Sequence, residues 1–115
     1  MSAPDVASLV RIKVLAPMPL ARAFDYLAPA AAARPGAWVC APFGGGMVRG
    51  VVWPGAPDES IDAARLKCAE PIGDLEPLAA DVIDFVEWVA AYTMSPVGSV
   101  LRLVMRGGDG LDPPA

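Results

Sequence analysis

The sequence contains no histidine, no asparagine and no glutamine. The first absence removes Ser-His-Asp and Cys-His catalysis and every His-ligated metal site. The other two remove the side-chain amides that read adenine in the DNA major groove. Cysteine occurs only at Cys40 and Cys68, too few thiols for a structural zinc site. Asp5 interrupts the N-terminal stretch, so no basic segment leads into an apolar leader, and prolines and charges cut every apolar run short of a membrane span. These absences lead us to expect a soluble cytosolic domain with reduced, buried cysteines. With no His and no nucleophile paired to a base, the chain is not expected to be an enzyme.

What is present suits a single small domain. The 115 residues are 55% hydrophobic and 19% charged, enough for a modest core and too apolar for charge-driven disorder. Gly 11 and Pro 13 promise many turns. The net charge of −4 argues against non-specific nucleic-acid binding. It hides an asymmetry, because residues 1–57 carry five bases and two acids while residues 58–115 carry four bases and eleven acids. An anionic partner should therefore meet the first half.

Leu9–Val14 alternates, with Val10, Ile12 and Val14 on one face and Arg11 and Lys13 on the other, which predicts a half-buried strand with a basic outer face. A second extended piece covers Phe24–Leu27, and Ala30–Ala33 suits a helical turn closed by Pro35-Gly36. Residues 37–42 and 47–53 are β-prone runs around Phe43-Gly44-Gly45-Gly46, which predicts a hairpin. Asp58–Arg65 is polar and suits one helical turn, and Leu66–Ile72 is a last strand. Leu78, Val82, Phe85, Val86, Val89 and Tyr92 then recur at helical spacing, opposite Asp81, Asp84 and Glu87, with Pro77 in the first turn. Ser95-Pro96 starts a second helix, Val97–Arg106, that presents Val97, Val100, Leu101 and Val104. The fold class is α+β: a small antiparallel, barrel-like sheet of about five short strands followed by two C-terminal helices. Residues 1–106 form the domain and 107–115 a flexible linker or tail.

Phe24-Asp25-Tyr26 places a carboxylate between two aromatic rings in a basic region. In a regular strand the rings share one face and Asp25 the other, so the rings are core and Asp25 caps a turn. In a bent strand all three line one cavity, where rings stack on bases and the carboxylate accepts from a sugar hydroxyl while repelling a phosphate. Pro42-Phe43-Gly44-Gly45-Gly46 is either a plain hairpin turn or a bare backbone that a ligand approaches, and it matches neither phosphate-loop nor dinucleotide-binding glycine patterns. Lys67 is either a solvated surface lysine or a point charge for a phosphate. Trp38, Trp53 and Trp88 are expected in the core.

In order along the chain these pieces resemble a known family. Val14-Leu15-Ala16-Pro17-Met18-Pro19-Leu20, Phe24-Asp25-Tyr26-Leu27, Pro29 and Gly36 look like the start of primosomal protein N′, the bacterial replication-restart helicase PriA. Val39-Cys40-Ala41-Pro42-Phe43-Gly44, Gly50-Val51-Val52, Leu66-Lys67, and then Trp88, Ala90, Tyr92, Pro96, Gly98 and Val100-Leu101 continue the resemblance. It implies the N-terminal domain that binds the 3′ end of single-stranded DNA, the nascent leading strand at a stalled or repaired fork. The family's pocket residues fall on Phe24, Asp25, Tyr26, Gly44 and Lys67, with Arg49 expected beside Lys67 to face the adjoining phosphate. The resemblance implies no cofactor in this domain, ATP and zinc belonging to helicase domains absent here. It further implies partnership with those domains and with single-stranded-DNA-binding and primosomal proteins, no membrane, and residence at the bacterial nucleoid. Trp38 and Cys40 stand where the family often has basic residues, and Gly45, Gly46 and Met47 delay the base expected after Gly44. The alternative function is a protein–protein interaction module that binds no DNA end, docking through its acidic helix face.

Overall fold

The computed structural model describes residues 9–56, 58, 60–72 and 75–111. Strands β1 (Leu9–Leu15), β2 (Phe24–Pro29), β3 (Trp38–Phe43), β4 (Gly46–Trp53) and β5 (Glu70–Pro71) precede helices α1 (Ala80–Thr93) and α2 (Val97–Leu111). The strands form one antiparallel sheet in the order β2-β1-β4-β3-β5. It curls into a half-barrel whose edges are tied by residues 67–71. There the Leu27 N–H donates to Lys67 O (2.9 Å) and the Ala69 N–H to Leu27 O (2.8 Å) before β5 joins β3. Only Glu70–Pro71 pairs as a strand, with Cys68 forming a single parallel bridge to Leu27, so the strand expected over Leu66–Ile72 is shorter. The segment must cross from one sheet edge to the other, and it meets each only briefly.

Both faces of the sheet are buried. Ile12, Val14, Tyr26, Val39 and Val52 fill the inside of the half-barrel. Leu15, Val51 and Trp53 face the helices and pack on Ile83, Val86, Val100 and Leu101. This is why Gly50–Trp53 at the end of β4 is continuously buried rather than alternating. Fully buried Leu15, Val51, Val86 and Leu101 contribute about 1.5–3 kcal/mol each by leaving water. The β3–β4 turn is Gly44-Gly45, with φ of 60° and 85°. Positive φ at both central residues is the type I′ geometry that matches strand twist, which explains the glycine pair.

The helices depart from expectation in register and extent. α1 begins at Ala80, because Leu78 N–H bonds Gly36 O (2.7 Å) and holds the chain after Pro77 extended along the sheet. Its buried residues are Ile83, Val86 and Ala90, whereas Phe85, Trp88 and Tyr92 are 54%, 62% and 76% exposed. The helix is apolar over more than half its circumference, so periodicity alone fits two orientations. The sheet takes the face bearing small Ala90. Glu87, expected in solvent, accepts from the Trp53 indole N–H and fastens α1 to β4. Of the three tryptophans only Trp53 is fully in the core. Cys40 is half-buried and Cys68 exposed, contrary to expectation, because Cys68 lies in the crossing segment rather than in a covered strand.

Met94 ends α1 in the left-handed conformation, and the Pro96 carbonyl accepts the first bonds of α2, so Ser95 is not its cap. α2 runs to Leu111 rather than Arg106; Gly107 and Gly108 weaken a helix without forbidding it, and no proline intervenes before Pro113. Residues 112–115 of the expected tail lie outside the described residues. No helix among the described residues is long and apolar enough to cross a membrane.

Gly98 fixes how closely α2 meets the Ala16–Met18 turn, since a Cβ there would lie 2.0 Å from Met18 O. Gly98→Ala should lower the unfolding free energy by about 1–3 kcal/mol, the usual range for overpacking, in urea titrations. Gly46→Ala, which points into open space, should cost about 0.5 kcal/mol or less.

Candidate nucleic-acid interface

Alternation in β2 holds. The register places Phe24 opposite Val14 and Tyr26 opposite Ile12, on the face turned into the half-barrel, while Asp25 lies opposite Lys13 on the other. Yet Phe24, Asp25 and Tyr26 line one cavity of about 290 Å³, together with Gly44 and Lys67. No bend is needed, because β2 is an edge strand and the cavity straddles that edge. Among the described residues, pairing of the crossing segment with β2 is confined to Leu27, which leaves the edge at residues 24–26 open.

The five residues singled out from the sequence are thus brought together from three parts of the chain. The Tyr26 ring is buried and its hydroxyl donates to Pro42 O (2.8 Å), tying β2 to the end of β3 beneath the Gly44 turn. Phe24 meets Phe43 with ring centroids 5.5 Å apart. Gly44 needs its positive φ, and a Cβ there would meet nothing within 4 Å, so the backbone is open to a ligand. Lys67 is exposed, and its carbonyl is held by Leu27.

Among the described residues Asp25 is the lone acid lining the cavity. Its side chain is 9% exposed, with Oδ1 3.6 Å from Lys13 Nζ and accepting the Asp58 N–H at 3.3 Å. A carboxylate so withdrawn from water needs such compensation. Both contacts fall on Oδ1. A carboxylate has acceptor sites to spare, so a further donor is chemically accommodated.

Two cations were missed in the sequence. Arg22 lines the cavity with its guanidinium 5.2 Å from the Phe24 ring centroid, a cation–π contact, and Arg65 lines it beside Lys67. Each stands two residues before an expected site residue, in Arg22-Ala23-Phe24 and Arg65-Leu66-Lys67, and that spacing was the available signal. Arg49, expected next to Lys67, lies on β4 opposite Cys40 and lines a different hollow with Trp38. The hairpin carries its side chain away from the β2 edge. Among the described residues the cavity therefore offers an aromatic wall, bare backbone, one carboxylate and three cations. Among the described residues no cluster of three or more His, Cys, Asp or Glu could hold a metal ion.

The profile of the PriA 3′ DNA-binding domain (3′BD) matches residues 13–106, a span that contains every cavity residue. The chain belongs to this family. It is accordingly a DNA-binding domain for 3′ ends rather than a catalytic one. A comparison with curated proteins finds no match.

Burial raises the Tyr26 hydroxyl above its ordinary 10.0. A group whose folded pKa is raised contributes stability that is intact below the unfolded value and is lost as pH climbs through the folded one. Stability should therefore fall above about pH 10. In Tyr26→Phe that fall should be blunted, at a cost of about 1 kcal/mol near neutrality for the lost bond to Pro42 O, in denaturant titrations across pH.

Proposed function

We propose that the cavity at the β2 edge holds the 3′-terminal nucleotide of a DNA strand, by recognition without chemistry. Asp25 accepts the free 3′-hydroxyl, the terminal base rests against the aromatic wall, and backbone near Gly44 meets its edge. Lys67, with Arg65 and Arg22, faces the adjoining phosphate. The observation that carries this reading is the convergence of Phe24, Asp25, Tyr26, Gly44 and Lys67 on one hollow of about 290 Å³. That is at the small end of ligand sites, suited to one terminal unit rather than a length of strand. A carboxylate in the wall disfavours a phosphorylated end and an internal position alike.

One charge-assisted hydrogen bond contributes about 1.5–3 kcal/mol and stacking about 1–3 kcal/mol. Set against the cost of association, this supports binding on the order of micromolar to millimolar. Such a domain works as a sensor whose effective concentration is raised by what it is attached to. The finer reading follows the family resemblance. The domain is the N-terminal part of an ATP-dependent 3′-to-5′ replication-restart helicase, which places it at stalled or repaired forks in the bacterial cytoplasm. It needs no cofactor of its own there, ATP and zinc serving the helicase part. Contact with other domains or primosomal proteins is a second role. Exposed Phe85, Trp88 and Tyr92 on α1 favour it, the last two stacked at 5.2 Å.

Fluorescence anisotropy with short oligonucleotides ending in 3′-hydroxyl or 3′-phosphate tests the reading. The hydroxyl end should bind several-fold more tightly, and equal affinity for the two ends would overturn the proposal. Asp25→Ala should bring the ratio close to one. Lys67→Ala should weaken both ligands alike and flatten the salt dependence by roughly 0.7 in log–log slope, the share of one phosphate contact on a single strand.

A further inference from the structure

The basic face of β1 points at the site without entering it. Arg11 is absent from the cavity lining, yet its Nη1 donates to the carbonyls of Asp58 (3.2 Å) and Ile61 (2.5 Å). Ile61 belongs to the wall that continues through Arg65 and Leu66 to Lys67. Asp58 in turn gives its N–H to Asp25 Oδ1. The Asp58 side chain is occupied locally, accepting the Ser60 hydroxyl and N–H, and these bonds with Ser60 lower its pKa. Its backbone is thus left to make the long-range contacts. Among the described residues, the Arg11 fork and the Asp58–Asp25 bond are the only hydrogen bonds from residues 58–66 to the remainder of the fold. At the other end the wall is held by Leu27.

We infer that Arg11 is a positioning residue of the DNA-end site: it latches Asp58 and the 60–65 turn so that Ile61 and Arg65 wall the cavity and the Asp58 N–H orients Asp25. This rests on the functional reading above. Both bonds leave one nitrogen, Nη1, whose two N–H groups are fixed in the guanidinium plane; a lysine ammonium carries enough donors but sits on a side chain one bond shorter and is less pre-organised. The N-terminal half's excess of positive charge is thereby partly explained. Arg11 is spent on the protein's own backbone and Lys13 on Asp25, so neither is a free contact for an anionic partner.

The experiment pairs two readouts on the full chain. In Arg11→Ala, backbone amides of residues 60–67 should exchange hydrogen faster while those of β1, β4 and α1 keep their protection. Affinity for a 3′-hydroxyl oligonucleotide should fall on the order of tenfold, the outer-shell scale, with the preference over a 3′-phosphate end reduced as well. Arg11→Lys keeps the charge and the donors on a side chain one bond shorter and without the fixed plane, so it should restore affinity only in part. Arg11→Gln, which keeps most of the side-chain stem, should resemble alanine and serves if that variant unfolds. The alanine loss should persist between about 0.05 and 0.5 M salt, where a bare charge effect would be screened away. Full rescue by lysine, or a loss that vanishes at high salt, would make Arg11 a direct attractor of DNA and overturn the inference. So would unchanged exchange at residues 60–67. A wild-type chain that prefers 3′-hydroxyl ends, with an Arg11→Ala variant of equal preference and affinity, would sink the latch and leave the site standing. A wild-type chain without that preference would remove both.

Discussion

The edge of β2 is the constraint from which the site follows. A sheet curled into a half-barrel has two edges with unpaired backbone groups, and one crossing segment serves both. It reaches β2 only at Leu27, then leaves to pair with β3 as Glu70–Pro71. The bridge is parallel, so had the segment joined β2 earlier, its residues before Lys67 would have closed residues 24–26 with a backbone ladder. Because it joins only at Leu27, both faces of the edge strand open into one space. A ring from the barrel side and a carboxylate from the opposite side can then share a ligand that neither face alone could hold.

That geometry also resolves the two readings of Phe24-Asp25-Tyr26 that the sequence left open. The rings do belong to the inner face, and the Tyr26 ring is core. Asp25 is indeed on the other face, paired with its cross-strand neighbour Lys13. The structural and ligand-facing roles were alternatives only under the assumption that a strand residue sees one face of a sheet. At an edge the assumption lapses. Tyr26 can spend its hydroxyl on Pro42 and still offer its ring as the floor of the cavity.

How much was legible depends on whether local pattern or long-range closure decides the outcome. Alternation in Leu9–Val14 and the glycine pair between two β-prone runs gave β1 and the hairpin, because strand period and turn geometry are local. The five expected residues that share the cavity were picked out through an ordered resemblance, not through their chemistry one at a time. Arg22 and Arg65 escaped because an isolated arginine carries no periodic signal, and Arg49 was misplaced because only the strand register says which way it points. The rotation of α1 escaped for a related reason. A helix with apolar residues around most of its surface states that it packs, while the partner decides which side. Here Ile83, Val86 and Ala90 were selected, and the large rings were left outside.

An acidic chain can recognise the end of a polyanion if its charges are sorted at the scale that screening permits. At physiological salt the Debye length is about 8 Å, so exposed charges more than one such length away are largely invisible to a ligand. The net charge of −4 is set chiefly by residues 58–115, including the α1 acids Asp81 and Asp84 and Glu87, which is engaged with Trp53. Among the described residues the cavity itself is lined by Arg22, Arg65 and Lys67 against Asp25 alone. On the proposed reading, what a terminal nucleotide would meet is therefore a locally cationic hollow that also holds the Asp25 carboxylate. The same arrangement that admits an end should discourage sliding along a strand, because no basic track leads away from Asp25 on β1, whose Arg11 and Lys13 are already engaged within the protein.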